Sequence, residues 1–103
     1  MGKLPKNIQN DIKGIIFKEG PRTYKYTAIL TDGRHVNFGH RDYQQYEDLV
    51  PKSQGGGIWT SKNHLDPERR ERYRKRHTRI NKDGILTKDV KYSAEWFSYY
   101  LLW

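Results

Sequence analysis

Arginine and lysine side chains are concentrated in one short stretch of the chain, where they could bind phosphate groups. Residues 69–82 carry eight Lys or Arg against one acid, Glu71, a net +7 in a chain with a formal net charge of +8. Most are arginines, whose planar guanidinium group can donate two parallel hydrogen bonds to a phosphate. Charge of one sign concentrated on one element favours a polyanion partner, most often nucleic acid. The candidate phosphate-binding residues are Arg69, Arg70, Arg72, Arg74, Lys75, Arg76, Arg79 and Lys82.

The same stretch gives no sign of base reading. Recognition helices carry Asn or Gln near their start to read base edges, and none stands in this position here. Arg70 and Arg74 are one helical turn apart, as are Arg72 and Arg76, so each pair can follow successive phosphates. We therefore expect contacts to the backbone that do not depend on base sequence. The alternative interpretation is a solvated charged face without a partner, although such faces normally mix both signs of charge.

Histidine side chains suggest a second kind of chemistry, a metal site that cleaves phosphodiester bonds. The chain has four, His35, His40, His64 and His77, and His40 stands close to the carboxylate of Asp42. Their spacing matches no known ligand pattern, and no two lie at i and i+4. His77 is predicted to lie on the buried stripe of a helix. A histidine in such a position more often has a structural role than a metal-binding one. The sequence thus predicts no catalytic residues, no metal and no cofactor, with a metal-dependent nuclease as a less favoured alternative.

Aromatic side chains offer another way to hold nucleic acid, by stacking on unpaired bases. Tyr24 and Tyr26 fall on one face of a predicted strand, with Lys25 on the other. The competing interpretation, which we favour, is that both rings pack in the core against Trp96 and Tyr100.

The element that must position the arginines is predicted to be a capped helix. Asp66 is a good N-cap residue, and Pro67 suits the first helical position because its missing N–H is not needed there. At 100° per residue, Tyr73, His77 and Ile80 fall on one narrow stripe. We expect the helix to dock through this stripe and to turn its arginines outward.

The remaining patterns predict an α+β fold, a small three-stranded antiparallel meander packed against two helices. Residues 15–38 form the meander, and Asp32-Gly33 predicts a type I′ hairpin turn, in which both central residues have positive φ. Residues 42–49 predict either a short helix or an extended segment. Residues 94–103 are apolar on nearly all sides, which is typical of a buried helix.

The length of 103 residues predicts one domain, residues 13–103, preceded by residues 1–12 as a short helix or an N-terminal arm. Residues 54–57 (Gln-Gly-Gly-Gly) predict a mobile loop, because glycine maximises backbone freedom. The absence of cysteine excludes disulfides and thiolate metal sites. The apolar runs are too short to span a bilayer and no secretory signal is visible, so we expect no membrane partner and an intracellular location.

An ordered set of short pieces resembles a family of small, uncharacterised proteins encoded by large DNA viruses and bacteriophages. The pieces are the hairpin Tyr26 to Val36 with its Asp32-Gly33 turn, Phe38-Gly39, Asp42-Tyr43, the helix core Arg72 to His77, and Ser93-Ala94 leading into Tyr100 to Trp103. Together they cover roughly residues 24 to 103. The resemblance implies a viral origin and association with the virion, and it implies no established activity.

These observations predict a small viral nucleic-acid-binding protein that is not an enzyme. DNA is the favoured partner, virion or host proteins are further partners, and the expected location is the virion or the host cytoplasm or nucleoid. The alternative is a basic interaction module that binds or inhibits an acidic host protein.

Overall fold

A computed structural model describes residues 3–77 and 83–103, so the predicted positions Arg79, Ile80 and Lys82 lie outside the described residues. In chain order the helices and strands are α1 (Lys6–Asp11), β1 (Ile16–Glu19), β2 (Tyr24–Ile29), β3 (His35–His40), α2 (Pro67–Arg76) and α3 (Ala94–Leu101). The strands form one antiparallel sheet in the order β1-β2-β3. The predicted α+β class with a three-stranded meander is confirmed.

The turn between β2 and β3 differs from the predicted type. Leu30 N–H donates to the Arg34 carbonyl at 2.9 Å, which leaves a three-residue loop, and Gly33 N–H donates to the Leu30 carbonyl at 3.0 Å. Gly33 has a φ of 92°, whereas Asp32 is not among the residues with positive φ. The type I′ prediction is therefore wrong: this is the three-residue hairpin in which a left-handed glycine follows a type I turn. The Asp32 carboxylate accepts a hydrogen bond from the Arg34 N–H at 3.0 Å, which favours this arrangement.

The core lies between the inner face of the sheet and α3. Phe38 stacks on Phe97 with ring centroids 5.1 Å apart, and Phe17 meets both rings edge-on. Trp96 and Leu101 are also buried, as predicted for a helix apolar on nearly all sides.

The N-terminal segment belongs to the same core. Its sequence leaves a helix or an arm open, and residues 6–11 form the helix α1. Leu4, Ile8 and Ile12 are buried within the main apolar cluster. Residues 4–12 are thus packed together with the rest of the domain.

Residues 41–66 are here called the connector. Positions 42–49 are extended and irregular. Buried polar groups hold the connector in place. Gln45 is fully buried, and its amide donates to the Trp59 carbonyl and to Asn63 Oδ1, both at 2.8 Å. Asp48 accepts hydrogen bonds from the Tyr26 hydroxyl at 2.5 Å and from the Trp59 N–H at 3.0 Å. The bonds among Gln45, Asp48, Trp59 and Asn63 hold the connector together, and the Tyr26–Asp48 bond ties it to β2.

The glycines of residues 54–57 have a steric role, and the mobility predicted from their composition stays a prediction. A Cβ on Gly55, whose φ is 103°, would lie 1.9 Å from the Phe17 carbonyl oxygen. A Cβ on Gly56 would lie 2.1 Å from the Val50 carbonyl oxygen. The loop therefore needs glycine because its backbone packs directly against the backbone of Phe17 in β1 and of Val50.

Candidate nucleic-acid interface

The helix α2 begins as its sequence predicts. The Asp66 carboxylate accepts hydrogen bonds from the N–H groups of Glu68 at 3.0 Å and Arg69 at 3.4 Å, and Pro67 occupies the first turn. Because the cap satisfies backbone donors that the helix leaves unpaired, it fixes where the basic residues start.

The docking stripe of α2 is also confirmed within the described residues. The Tyr73 ring lies between two other rings, stacked on Trp103 with centroids 4.2 Å apart and on His77 with centroids 3.9 Å apart. Burial raises the pKa of the Tyr73 hydroxyl far above its ordinary value. This stack joins the helix to the residues that follow α3.

Two of the predicted phosphate ligands point inward. Arg70 Nε donates to the Trp103 carbonyl at 2.8 Å, and Arg74 Nη2 donates to the same oxygen at 3.0 Å. The Arg70 guanidinium lies 4.7 Å from the ring centroid of Tyr46, and that of Arg74 lies 5.1 Å from the centroid of Tyr99. The expectation that all the arginines turn outward is wrong for this pair, because the fold brings the Trp103 main-chain oxygen and two aromatic rings to their side of the helix.

The outward cations are Arg72, Lys75 and Arg76, here called the basic face. They are exposed and, at positions i, i+3 and i+4, share one side of α2. Lys75 makes an exposed pair with Glu71 at 3.5 Å, which contributes only a few tenths of a kcal/mol. Arg72 and Arg76 make no hydrogen bond or ion pair with other residues in the described ranges.

A groove of about 800 Å³ opens beside the basic face, bounded by α2, the start of α3, β3 and residues 42–44. We call it the aromatic groove. Its lining includes Tyr24, His40, Tyr43, Arg69, Tyr73 and Arg76. Arg69 Nη1 donates to Gln44 Oε1 at 2.8 Å, which holds this arginine at the groove wall.

The aromatic residues suggested for stacking are divided by the structure. Tyr26 is fully buried and packs against Phe17 and Phe38, so its predicted burial is right but its predicted partners are not. Tyr24 is 42 % exposed and lines the groove.

Tyr43 is not a sequence candidate, and at 68 % it is the most exposed large apolar or aromatic residue in the described part of the chain. Its ring stacks on His40 with centroids 4.4 Å apart. The available signal was its neighbourhood, since Asp42, Gln44 and Gln45 surround it with polar residues and offer the ring no local packing partner.

Lys25 lies buried at the floor of this region, only 2 % exposed. Its Nζ donates to the Tyr43 carbonyl at 2.6 Å and to Gln45 Oε1 at 2.5 Å. Burial, with the nearby positive charge of Lys62, lowers the pKa of Lys25 to about 8. Lys25, predicted to lie on the strand face opposite the tyrosines, is thus buried by these contacts with the connector.

The histidines have separate structural surroundings. His64 Nδ1 accepts a hydrogen bond from the Asp66 N–H at 2.9 Å, and burial lowers the pKa of its ring. His77 Nδ1 lies 3.6 Å from Glu95 Oε2, and His40 Nδ1 accepts from the Asp42 N–H at 3.2 Å. Across residues 3–77 and 83–103, no group of three or more His, Cys, Asp or Glu side chains is placed to hold a metal ion.

Comparison of the chain with family models, curated proteins and solved structures finds no match. None of the helices in the described part of the chain is long and apolar enough to cross a membrane. The viral resemblance stays a prediction, and the function is inferred from the geometry of α2 and its surroundings.

Proposed function

We propose that the protein binds nucleic acid through contacts between the basic face of α2 and backbone phosphates, without reading base sequence. The observation that supports this most directly is the free state of Arg72 and Arg76, which project from a capped and docked helix without protein partners among the described residues. One helical turn separates them by about 6 Å along the axis, so both can contact one strand.

The inward and outward arginines of α2 have different contacts, which strengthens the proposal. Arg70 and Arg74 bind the Trp103 carbonyl and hold the helix down. The outward arginines therefore stand on a fixed support, and less conformational entropy is lost when they bind. Guanidinium groups suit this task because each can donate two hydrogen bonds to one phosphate.

The proposed partner is DNA, and the function is binding without a catalytic step. The resemblance to proteins of large DNA viruses and bacteriophages favours DNA and a place in the virion or in the host cytoplasm or nucleoid. Displacement of counterions from the phosphates would drive the binding, so affinity should fall steeply as salt rises.

The test is fluorescence anisotropy with labelled oligonucleotides of unrelated sequence, between roughly 50 and 200 mM salt. Arg72→Gln and Arg76→Gln should each weaken binding equally for all sequences. Each should also reduce the slope of log affinity against log salt by about 0.7 to 0.9 for every lost phosphate contact. Arg34→Gln is the matched control, because Arg34 is exposed on the hairpin turn and the same charge is removed there.

Two results would overturn the proposal. One is the absence of salt-dependent binding to any oligonucleotide. The other is an equal loss of affinity in Arg34→Gln and Arg72→Gln. Affinity would then depend on net charge and not on the position of the arginine on α2. Binding of acidic proteins in place of oligonucleotides would favour the interaction-module alternative.

A further inference from the structure

Building on that proposed function, we propose that the aromatic groove receives unpaired bases of the strand bound at the basic face. The preferred partner is then a single-stranded nucleic acid. Tyr43 is the stacking platform, and Arg76 links the two sites because it belongs to both the basic face and the groove lining.

Tyr43 combines exposure with a fixed position. One side of its ring stacks on His40, while the side chain remains 68 % exposed. The His40 ring is itself positioned by the Asp42 N–H, and the Tyr43 backbone is anchored by the buried ammonium of Lys25. A base that stacks on Tyr43 would therefore meet an ordered ring, so little entropy is lost on binding.

The charges lining the groove are arranged asymmetrically. Arg69 and Arg76 stand on the α2 wall, whereas Asp42 lies on the wall that carries Tyr43; the Lys25 ammonium at the floor is bound to the Tyr43 carbonyl and Gln45 Oε1. The other acid of the lining, Glu95, accepts the Thr87 hydroxyl at 2.5 Å and faces His77. This polarity draws phosphates towards α2 and leaves the uncharged base for the Tyr43 wall.

The size and polar groups of the groove suit a nucleotide. A volume of about 800 Å³ is within the usual range for small-molecule sites, and its lining is mostly apolar surface with the amides of Asn37 and Gln44 at hand. Aromatic rings bind unpaired bases with little sequence preference, because every base has a π face. In a duplex those faces are stacked on neighbouring pairs, so a duplex can use only the basic face.

The experiment compares four labelled ligands at one salt concentration: a single strand, the same sequence as a duplex, its RNA counterpart, and an abasic strand with the same phosphates. We expect the single-stranded DNA and RNA that carry bases to bind more tightly than the duplex and the abasic strand. Tyr43→Ala should weaken single-strand binding roughly 5- to 150-fold, the range measured for loss of one base–aromatic stack. The same variant should leave duplex and abasic binding, and the salt slope, unchanged. Tyr43→Phe should bind as the parent does.

The variants separate failure of this inference from failure of the proposed function. If Arg72→Gln weakens all four ligands but Tyr43→Ala weakens none, phosphate binding stands and the base site is refuted. If no ligand binds in a salt-dependent way, both proposals fall. Thermal melts of the Tyr43 variants check folding, and an intact Tyr43→Ala protein that binds single strands like the parent is enough to reject the groove.

Discussion

At the scale of single residues, the arginines of α2 differ in what they contact although they look alike in the sequence. Arg70 and Arg74 share the Trp103 carbonyl, and each lies over a tyrosine ring. Arg72 and Arg76 lie on the other side of the helix and face solvent. Substituting Arg70 or Arg74 should therefore change stability, whereas substituting Arg72 or Arg76 should change ligand binding.

We expect Arg70→Ala to lower the free energy of unfolding by about 2 kcal/mol, because it removes a charged hydrogen bond and a cation–π contact. Arg72→Ala should change it by less than about 0.5 kcal/mol, as most exposed substitutions do. Urea denaturation followed by circular dichroism measures both. Equal stability of the two variants would contradict the inward role of Arg70.

At the scale of elements, two glycines with similar φ angles should respond differently to the same substitution. Gly33 and Gly55 have φ values of 92° and 103°, but a Cβ meets nothing within 4 Å at Gly33 and lies 1.9 Å from the Phe17 carbonyl oxygen at Gly55. Gly33→Ala should lower stability by about 1–2 kcal/mol, the strain of a left-handed alanine. Gly55→Ala should lower it by about 1–3 kcal/mol more, since β1 or the loop must also move. Parallel melts of the two variants test this, and similar midpoints would show that the close approach at Gly55 is relieved easily.

Most elements could be predicted from the sequence because their signals are local. The Asp66-Pro67 start of α2 and the alternation in the β2–β3 hairpin each arise within a few residues. The turn type could not, because Asp-Gly suits both a two-residue and a three-residue loop, and strand pairing between Leu30 and Arg34 decides between them.

The candidate site was less predictable because its geometry depends on distant segments. Arg70 is held by a carbonyl 33 residues later in the chain, and Lys25 by groups 18 and 20 residues away. Charge and helical spacing identify the basic stretch, but they do not show which side meets the rest of the fold. The same holds for Tyr43: its polar neighbours indicate an exposed ring, but the groove beside it is formed by distant segments.

At the scale of the whole molecule, buried ionisable groups should shape the dependence of stability on pH. The pKa of Lys25 is lowered from 10.5 to about 8, so the folded state releases this proton before the unfolded state does. Burying the charged ammonium lowers the free energy of unfolding. This cost is fully present below about pH 8 and disappears as the pH rises to about 10.5. Burial raises the pKa values of Tyr26 and Tyr73, which therefore stay protonated in the folded state after the unfolded chain ionises near pH 10.

We therefore expect stability to rise from about pH 7.5 to about pH 9.5 and to fall above about pH 10. Urea midpoints measured across this range give the profile. Lys25→Met should remove the rise, and Tyr73→Phe should reduce the alkaline loss. A parent protein whose stability falls steadily from pH 7.5 would show that Lys25 keeps an ordinary pKa.

The polar anchoring of the connector has a consequence for the order of folding. The β-hairpins can start from the pairs Glu19–Tyr26 and Ile29–His35, which are 7 and 6 residues apart, whereas Gln45, Asp48 and Asn63 join groups 11 to 22 residues apart. Local pairing forms quickly, and hydrogen bonds with strict geometry form only once their surroundings are in place. Asn63→Ala should therefore speed unfolding in proportion to the stability it removes and leave the folding rate nearly unchanged, as stopped-flow kinetics in urea can measure. The connector would then be the last segment to fold and the first to unfold. The Lys25 ammonium would be desolvated only in the last step of folding.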